Sequence, residues 1–314
     1  MNVTTRLEKQ HSKRKRRWIY WIGATLLVIV LTVAAYSLYI YSQLNTAVET
    51  MHEPLDRDTE RKKEMDRIFD KRDSFNILLL GVDERANDAG RTDTMIFMSL
   101  NPNTESMVMM SIPRDTYTEI PGRGMDKINH AYAFGGTDLA LNTVEQLLAV
   151  PIHYYTKINM EGFVQGVDAI GGVTVNNSFT FTQDGSTFPE GEIHLDGEEA
   201  LKYSRMRKQD PRGDFGRNDR QRQVIEAALK EAANFSSVTK IGEIVDILGD
   251  NVRMNLTMEN IHSLFLNYRQ TVSTVKTIEI NGSGSTINGI WYYVVPEEEW
   301  TRIKSEINSH MEAS

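Results

Sequence analysis

From Trp18 to Tyr41 the chain runs for 24 residues without a charged side chain, centred on Ala24–Ala35. As a helix rising 1.5 Å per residue, that run covers about 36 Å, enough to cross a hydrocarbon core of roughly 30 Å with some tilt. Trp18, Tyr20 and Trp21 stand at one end and Tyr36, Tyr39 and Tyr41 at the other, as interfacial aromatic belts would. Lys13–Arg17, five consecutive basic residues, abut the N-terminal end. The positive-inside rule therefore predicts residues 1–17 in the cytoplasm and the rest of the chain outside. A cleaved signal would have a shorter apolar core and a small-residue cleavage site, which Tyr36–Tyr41 does not offer. The segment reads as a retained, single-pass signal-anchor of the cell membrane.

Charge divides the same way. Residues 1–17 carry seven basic residues and Glu8, a net +6; the overall −8 then leaves −14 for the remainder. An acidic exported part argues against nucleic acid as a partner. The absence of cysteine excludes disulfides, thiolate metal sites and a thiol nucleophile. Residues 42–73 are polar, with opposite charges at i,i+4 in Asp56–Arg67, and predict a solvated helical stalk. The folded domain is expected over 74–314. Apolar runs Ile77–Val82, Met95–Leu100 and Met107–Ile112 read as buried strands, with further strands at Tyr154–Ile158, Val173–Val175, Val275–Ile280 and Ile290–Val295. Helical patterns cover Leu139–Leu148, Gly162–Ile170, Gly197–Tyr203, Asn218–Asn234, Ile241–Leu248, Met258–Tyr268 and Pro296–Ile307; Gly282–Ser285 reads as a hairpin turn. This alternation predicts an α/β fold, a mixed central sheet sandwiched by helices, after one transmembrane helix.

Arginines stand at strand and helix ends of this acidic domain: Arg85 and Arg91 after the first strand, Arg114 after the third, Arg205 and Arg207 two apart, Arg217 and Arg220 opening a helix. On that helix, at about 100° per residue from Asp214, Arg217 lies at 300° and Gln221 at 340°, beside Val224 at 280° and Ile225 at 20°. Arg217 and Gln221 thus begin the stripe that becomes apolar and core-facing. A guanidinium on an inward face requires an anionic partner, and the helix N-terminus favours one too. The pattern points to a phosphate-type ligand. Asp83 and Asp93 flank the loop between the first two strands, either as turn formers or as two carboxylates for a hard cation that shares its shell with phosphate. Asp115 either stabilises a turn or takes a proton from a substrate hydroxyl, and Asp214 is an N-cap or a catalytic group. His130, His153 and His194 have no metal-site spacing, and no Gly-x-Ser-x-Gly, Walker or dinucleotide motif appears.

Taken together, Asn76–Arg85, Arg91–Thr94, Ser111–Thr116, Lys127–Tyr132, Tyr203–Arg207 and Asp214–Gln221, in this order, resemble the LytR-CpsA-Psr family of membrane-anchored transferases, above all its wall teichoic acid ligases. The resemblance covers Phe75 to about Ala233. It implies that Asp83 and Asp93 hold Mg²⁺, or Mn²⁺, against a pyrophosphate. It implies that Arg91, Arg114, Arg205, Arg207, Arg217 and Gln221 grip the pyrophosphate of a polyprenyl-linked glycopolymer; Arg85 and Arg220 join them as further candidates. The prenyl tail is expected in an apolar tunnel between sheet and helices. The implied reaction moves an anionic polymer of the wall teichoic acid type from its carrier to a peptidoglycan hydroxyl, in a Gram-positive type of envelope. Arg114, Asp115 and Arg217 are the catalytic candidates. A phosphatase acting on the lipid carrier, with water as acceptor, or a non-catalytic wall-binding or regulatory protein are the competing readings.

Overall fold

Residues 4–83, 90, 92–234, 249 and 251–314 are described by the computed structural model, which divides into Met1–Thr46 and Ala47–Ser314. Helix α1 (Thr4–Met51) accounts for the first unit, and its last turn opens the second. Its stretch from Tyr20 to Met51 holds an 18-residue window of mean hydropathy 2.1 and is long and apolar enough to cross a membrane.

In the second unit α2 (Asp56–Lys71) leads into β1 (Phe75–Val82), β2 (Thr92–Asn101) and β3 (Ser106–Ser111). A hairpin, β4 (Tyr117–Ile120) and β5 (Gly124–Lys127), precedes α3 (His130–Leu148), β6 (Tyr154–Asn159) and α4 (Met160–Ala169). Then come β7 (Val173–Asn177), the small hairpin β8 (Phe181–Gln183) and β9 (Ser186–Phe188), and β10 (Gly191–Leu195), which pairs with β7. Helices α5 (Gly197–Arg205) and α6 (Asp214–Asn234) follow, then β11 (Val252–Met254), α7 (Met258–Ser263) and β12 (Thr274–Thr277). Hairpin β13 (Ser283–Ile287) and β14 (Ile290–Val294) and helix α8 (Glu297–Glu312) close the chain.

The central sheet is mixed, in the order β11-β6-β1-β2-β3-β12, with β6–β1 and β3–β12 parallel and the other pairs antiparallel. Alternation along β1 sends Leu78, Leu80 and Val82 into one core, with Leu141, Val144 and Leu148 of α3 and Trp300, Ile303 and Ile307 of α8. Phe75, from the other face, packs edge-on to Tyr154 and Tyr268, with Phe69 of α2 against all three. A third cluster joins Val173, Phe181, Phe188, Tyr203, Met206 and Val224 beneath α5 and α6. This is the helix-covered mixed sheet expected.

Three local expectations change. Residues 42–73 are not a solvated stalk: Met65, Ile68 and Phe69 are buried, and Arg57 forks onto Glu145 of α3 at 3.0 Å. The charges at i,i+4 were real, but the apolar stripe at 65, 68 and 69 decided the packing. Gly282–Ser285 leads into and begins strand β13, and the hairpin turns instead at Asn288-Gly289, both at positive φ as a type I′ turn requires. β12 ends at Thr277, and the helix expected over 241–248 lies outside the described residues.

His153 links this packing to pH. Its ring is 5% exposed, and Nδ1 accepts the Asn76 N–H at 3.1 Å. Burial pulls its pKa from 6.5 to about 4, against a weaker pull from Glu64. The unfolded chain therefore binds this proton more readily between pH 6.5 and 4, so its contribution, about 3 kcal/mol, is lost as pH falls through that window. Chemical denaturation at pH 7 and pH 4.5 should show this loss in the wild type and a flatter profile in His153→Gln; equal slopes would reject the assignment.

Candidate functional site

A cavity of about 320 Å³ opens between the sheet and helices α4, α5 and α6, at the C-terminal ends of β1 and β6. Its inner wall is apolar: Leu79, Ile158, Phe163, Leu201 and Ile225. Its mouth is polar: the charged Asp83, Asp93, Arg205 and Arg217, with the Gln221 amide. Gly197 holds α5 close to α4, because a Cβ there would stand 2.1 Å from the Val164 carbonyl, and its N–H donates to Asp168 Oδ1 at 2.7 Å.

Arg217 dominates the electrostatics. Its side chain is 14% exposed, an Nη lies 2.8 Å from Asp214 Oδ1, and its buried Nε has no hydrogen-bond partner among the described residues. Asp214 is shared, since Arg207 reaches its other oxygen at 2.9 Å. Burial lowers the Arg217 pKa; Asp214 opposes this, and Arg114 and Arg207 add to it as like charges. An arginine stays protonated regardless, so the shift measures positive charge held without full compensation. That is an environment suited to an anion, which would also satisfy the orphan Nε.

Arg114 leaves the end of β3 and donates to Asp93 Oδ1 at 2.6 Å, with Nε 3.6 Å from Asp115. Asp115 in turn accepts from Lys127 Nζ at 2.6 Å. Lys127 ends β5 and was not among the candidate site residues, although its motif was visible; only the β4–β5 hairpin brings it to Asp115. Arg205 and Arg207 flank Met206, which is fully buried, so the two arginines remain on the site side although Arg205 ends a helix rather than an extended segment.

Arg220 does not belong to this group. It is 3% exposed, donates to the fully buried Asp210 carboxylate at 2.7 Å and the Met206 carbonyl at 2.6 Å, and lies over Phe181. At about 240° on the α6 wheel it sits away from Arg217, inside the third cluster. Gly216 makes room for this pair, as a Cβ there would fall 1.8 Å from Asp210 Oδ2. Arg85 and Arg91 lie outside the described residues.

Residues 38–309 match the LytR_cpsA_psr family model. The chain belongs to the LytR-CpsA-Psr family. Among members of this family, the polyisoprenyl-teichoic acid–peptidoglycan teichoic acid transferase TagU of Oceanobacillus iheyensis is 54% identical over 318 residues, covering 99% of either chain. TagU of Bacillus subtilis is 45% identical over 98% of this chain and all of its own. The crystal structure of B. subtilis TagU superposes with a TM-score of 0.64 at 46% identity, over 77% of this chain and 98% of that one. A LytR-CpsA-Psr structure described as TagT bound to LI-WTA gives 0.66 at 31% identity, over 77% and 91%.

Among the described residues no group of three or more His, Asp or Glu side chains is arranged to hold a metal. Asp83 and Asp93 do share the cavity mouth with Arg217. Two carboxylates beside a phosphate site fit Mg²⁺, which takes one or two carboxylates and completes its shell with phosphate and water.

Proposed function

We propose that this chain is a teichoic acid transferase that moves an anionic glycopolymer from a polyprenyl-pyrophosphate carrier to a hydroxyl of peptidoglycan. The observation that carries the reading is the half-compensated Arg217 at the mouth of an apolar cavity: a charged grip next to a greasy slot suits an amphiphilic pyrophosphate. Burying prenyl carbons is worth about 0.8 kcal/mol per CH₂. Arg114, Arg205, Arg207, Arg217 and Gln221 would grip the pyrophosphate, joined by Arg91 by family resemblance, with Arg85 a further candidate. Asp83 and Asp93 would hold Mg²⁺ (or Mn²⁺), which when bound supplies charge neutralisation at the phosphates. The basic tail keeps the N-terminus cytoplasmic and the domain outside, near its lipid donor.

The acceptor oxygen attacks the polymer-side phosphorus, the bond to the lipid-side phosphate breaks, and lipid monophosphate departs with the electron pair. Phosphoryl transfer depends mainly on positioning and charge, so an arginine-rich site with one modest base is sufficient. Asp115, oriented by Lys127, takes the hydroxyl proton.

Full-length protein in detergent, incubated with a lipid-linked donor, a peptidoglycan oligomer and Mg²⁺, should form the polymer–peptidoglycan phosphodiester. Phosphate released to water at the same rate without acceptor would instead mark a phosphatase. Asp115→Asn should lower kcat by about 10²–10⁴-fold. An unchanged rate removes Asp115 from the base role.

A further inference from the structure

A second cavity, of about 370 Å³, lies on the other side of α6. Its walls include Ser111 and Pro113 at the end of β3, Phe215, Asn218 and Arg222 of α6, and Asn281 beyond β12. The register relates it to the first: Leu79, Ile96 and Ser111 face one another across β1, β2 and β3 in a single row on one face of the sheet. Leu79 lines the first cavity and Ser111 the second, about 10 Å apart at two strand spacings. On α6 the residues of the first cavity centre near 340° and those of the second near 90°, about 110° round the helix. Arg114 and Asp115 follow directly on Pro113, so the reacting groups stand between the two.

The two cavities differ in charge. In the second, Arg212 and Arg222 both pair with Asp219, and Glu279 completes a wall with equal numbers of positive and negative groups. The remaining lining is two amides, one hydroxyl, the apolar Pro113 and Ile280, and one half-exposed aromatic ring, Phe215. Ser111 is 7% exposed, and its Oγ has no hydrogen-bond partner among the described residues. A buried hydroxyl without a partner, planar amides and a half-exposed aromatic ring suit an uncharged sugar, not a phosphate.

We propose that this second cavity binds a neutral sugar of the acceptor glycan, deepening the transferase reading on which it rests. In-line displacement requires the attacking oxygen to arrive opposite the departing one. With the lipid tail on the β6–β1 side, the β3–β12 side is where the acceptor must enter. Its hydroxyl oxygen bonds to phosphorus as the lipid phosphate leaves, and its proton passes to Asp115.

The test is steady-state transfer by the full chain, with lipid-linked donor and peptidoglycan oligomer varied in turn, in Ser111→Ala and Asn218→Ala. Each variant should raise the acceptor KM about tenfold, leave the donor KM unchanged, and melt like the wild type. Titration with the oligomer alone should show the same weakening. A rise confined to the donor KM would assign the cavity to the polymer's own sugars and overturn the proposal, as would an unchanged acceptor KM. Wild type that transfers nothing to the oligomer would defeat the transferase reading itself, and the acceptor subsite with it.

Discussion

Arg217→Ala is expected to lower kcat/KM for transfer by roughly 10³-fold, the scale on which single preorganised charge donors act in transition-state stabilisation. The reason is position: the guanidinium is 14% exposed, beside Arg114 and Arg207, with an Nε that no group among the described residues satisfies. Such a group contributes little to folding and much to an anion that develops charge in the reaction. The variant should therefore keep its thermal midpoint within a few degrees of wild type. Arg217→Lys should recover only a small part of the activity, because a single ammonium cannot reproduce the fork. Transfer within a factor of a few of wild type by purified Arg217→Ala would dismiss the clamp.

Three residues further along the same helix, the opposite outcome is expected. Asp210→Ala leaves the Arg220 guanidinium buried without its carboxylate, a change that costs about 3–5 kcal/mol. At about 2–4 °C per kcal/mol for a domain of this size, the midpoint should fall by roughly 6–20 °C. Below its melting range the variant should transfer at near-normal rates, since neither residue lines the cavity. The double variant Asp210→Ala/Arg220→Met should recover much of the loss, because it removes the stranded charge as well. A midpoint unmoved in Asp210→Ala, or transfer lost at low temperature with the fold intact, would contradict the structural role given to Arg220.

The contrast between Arg217 and Arg220 shows what could be read in advance. The helical wheel placed Arg217 and Gln221 on the inward stripe, and both line the cavity, because a 3.6-residue period fixes which residues share a face. Arg220, only about 60° from Arg217 on the same wheel, stood among the pyrophosphate candidates, because the wheel could not reveal what lay opposite. Asp210 is ten residues upstream in an irregular segment, and no local pattern pairs it with Arg220. The β1, β2 and β3 strands were legible because they are buried on both faces and so run continuously apolar. The 42–73 segment misled because the exposed charges of α2 outnumber its three buried apolar side chains, Met65, Ile68 and Phe69. The hairpin at Asn288-Gly289 carried the type I′ signal all along, but the neighbouring Gly-Ser pairs competed with it.

Sequence alone determined the apolar helix long enough to cross a membrane, the mixed α/β alternation, and the arginines set at element ends, since each depends on periodicity or composition within a short window. The tertiary structure decided which charges are free to meet a ligand. That depends on burial and on partners far along the chain: Glu145 with Arg57, Asp210 with Arg220, Lys127 with Asp115, and the Nε of Arg217 with none among the described residues. An ionic group becomes functional here through the compensation it lacks, and compensation is a property of three-dimensional neighbours.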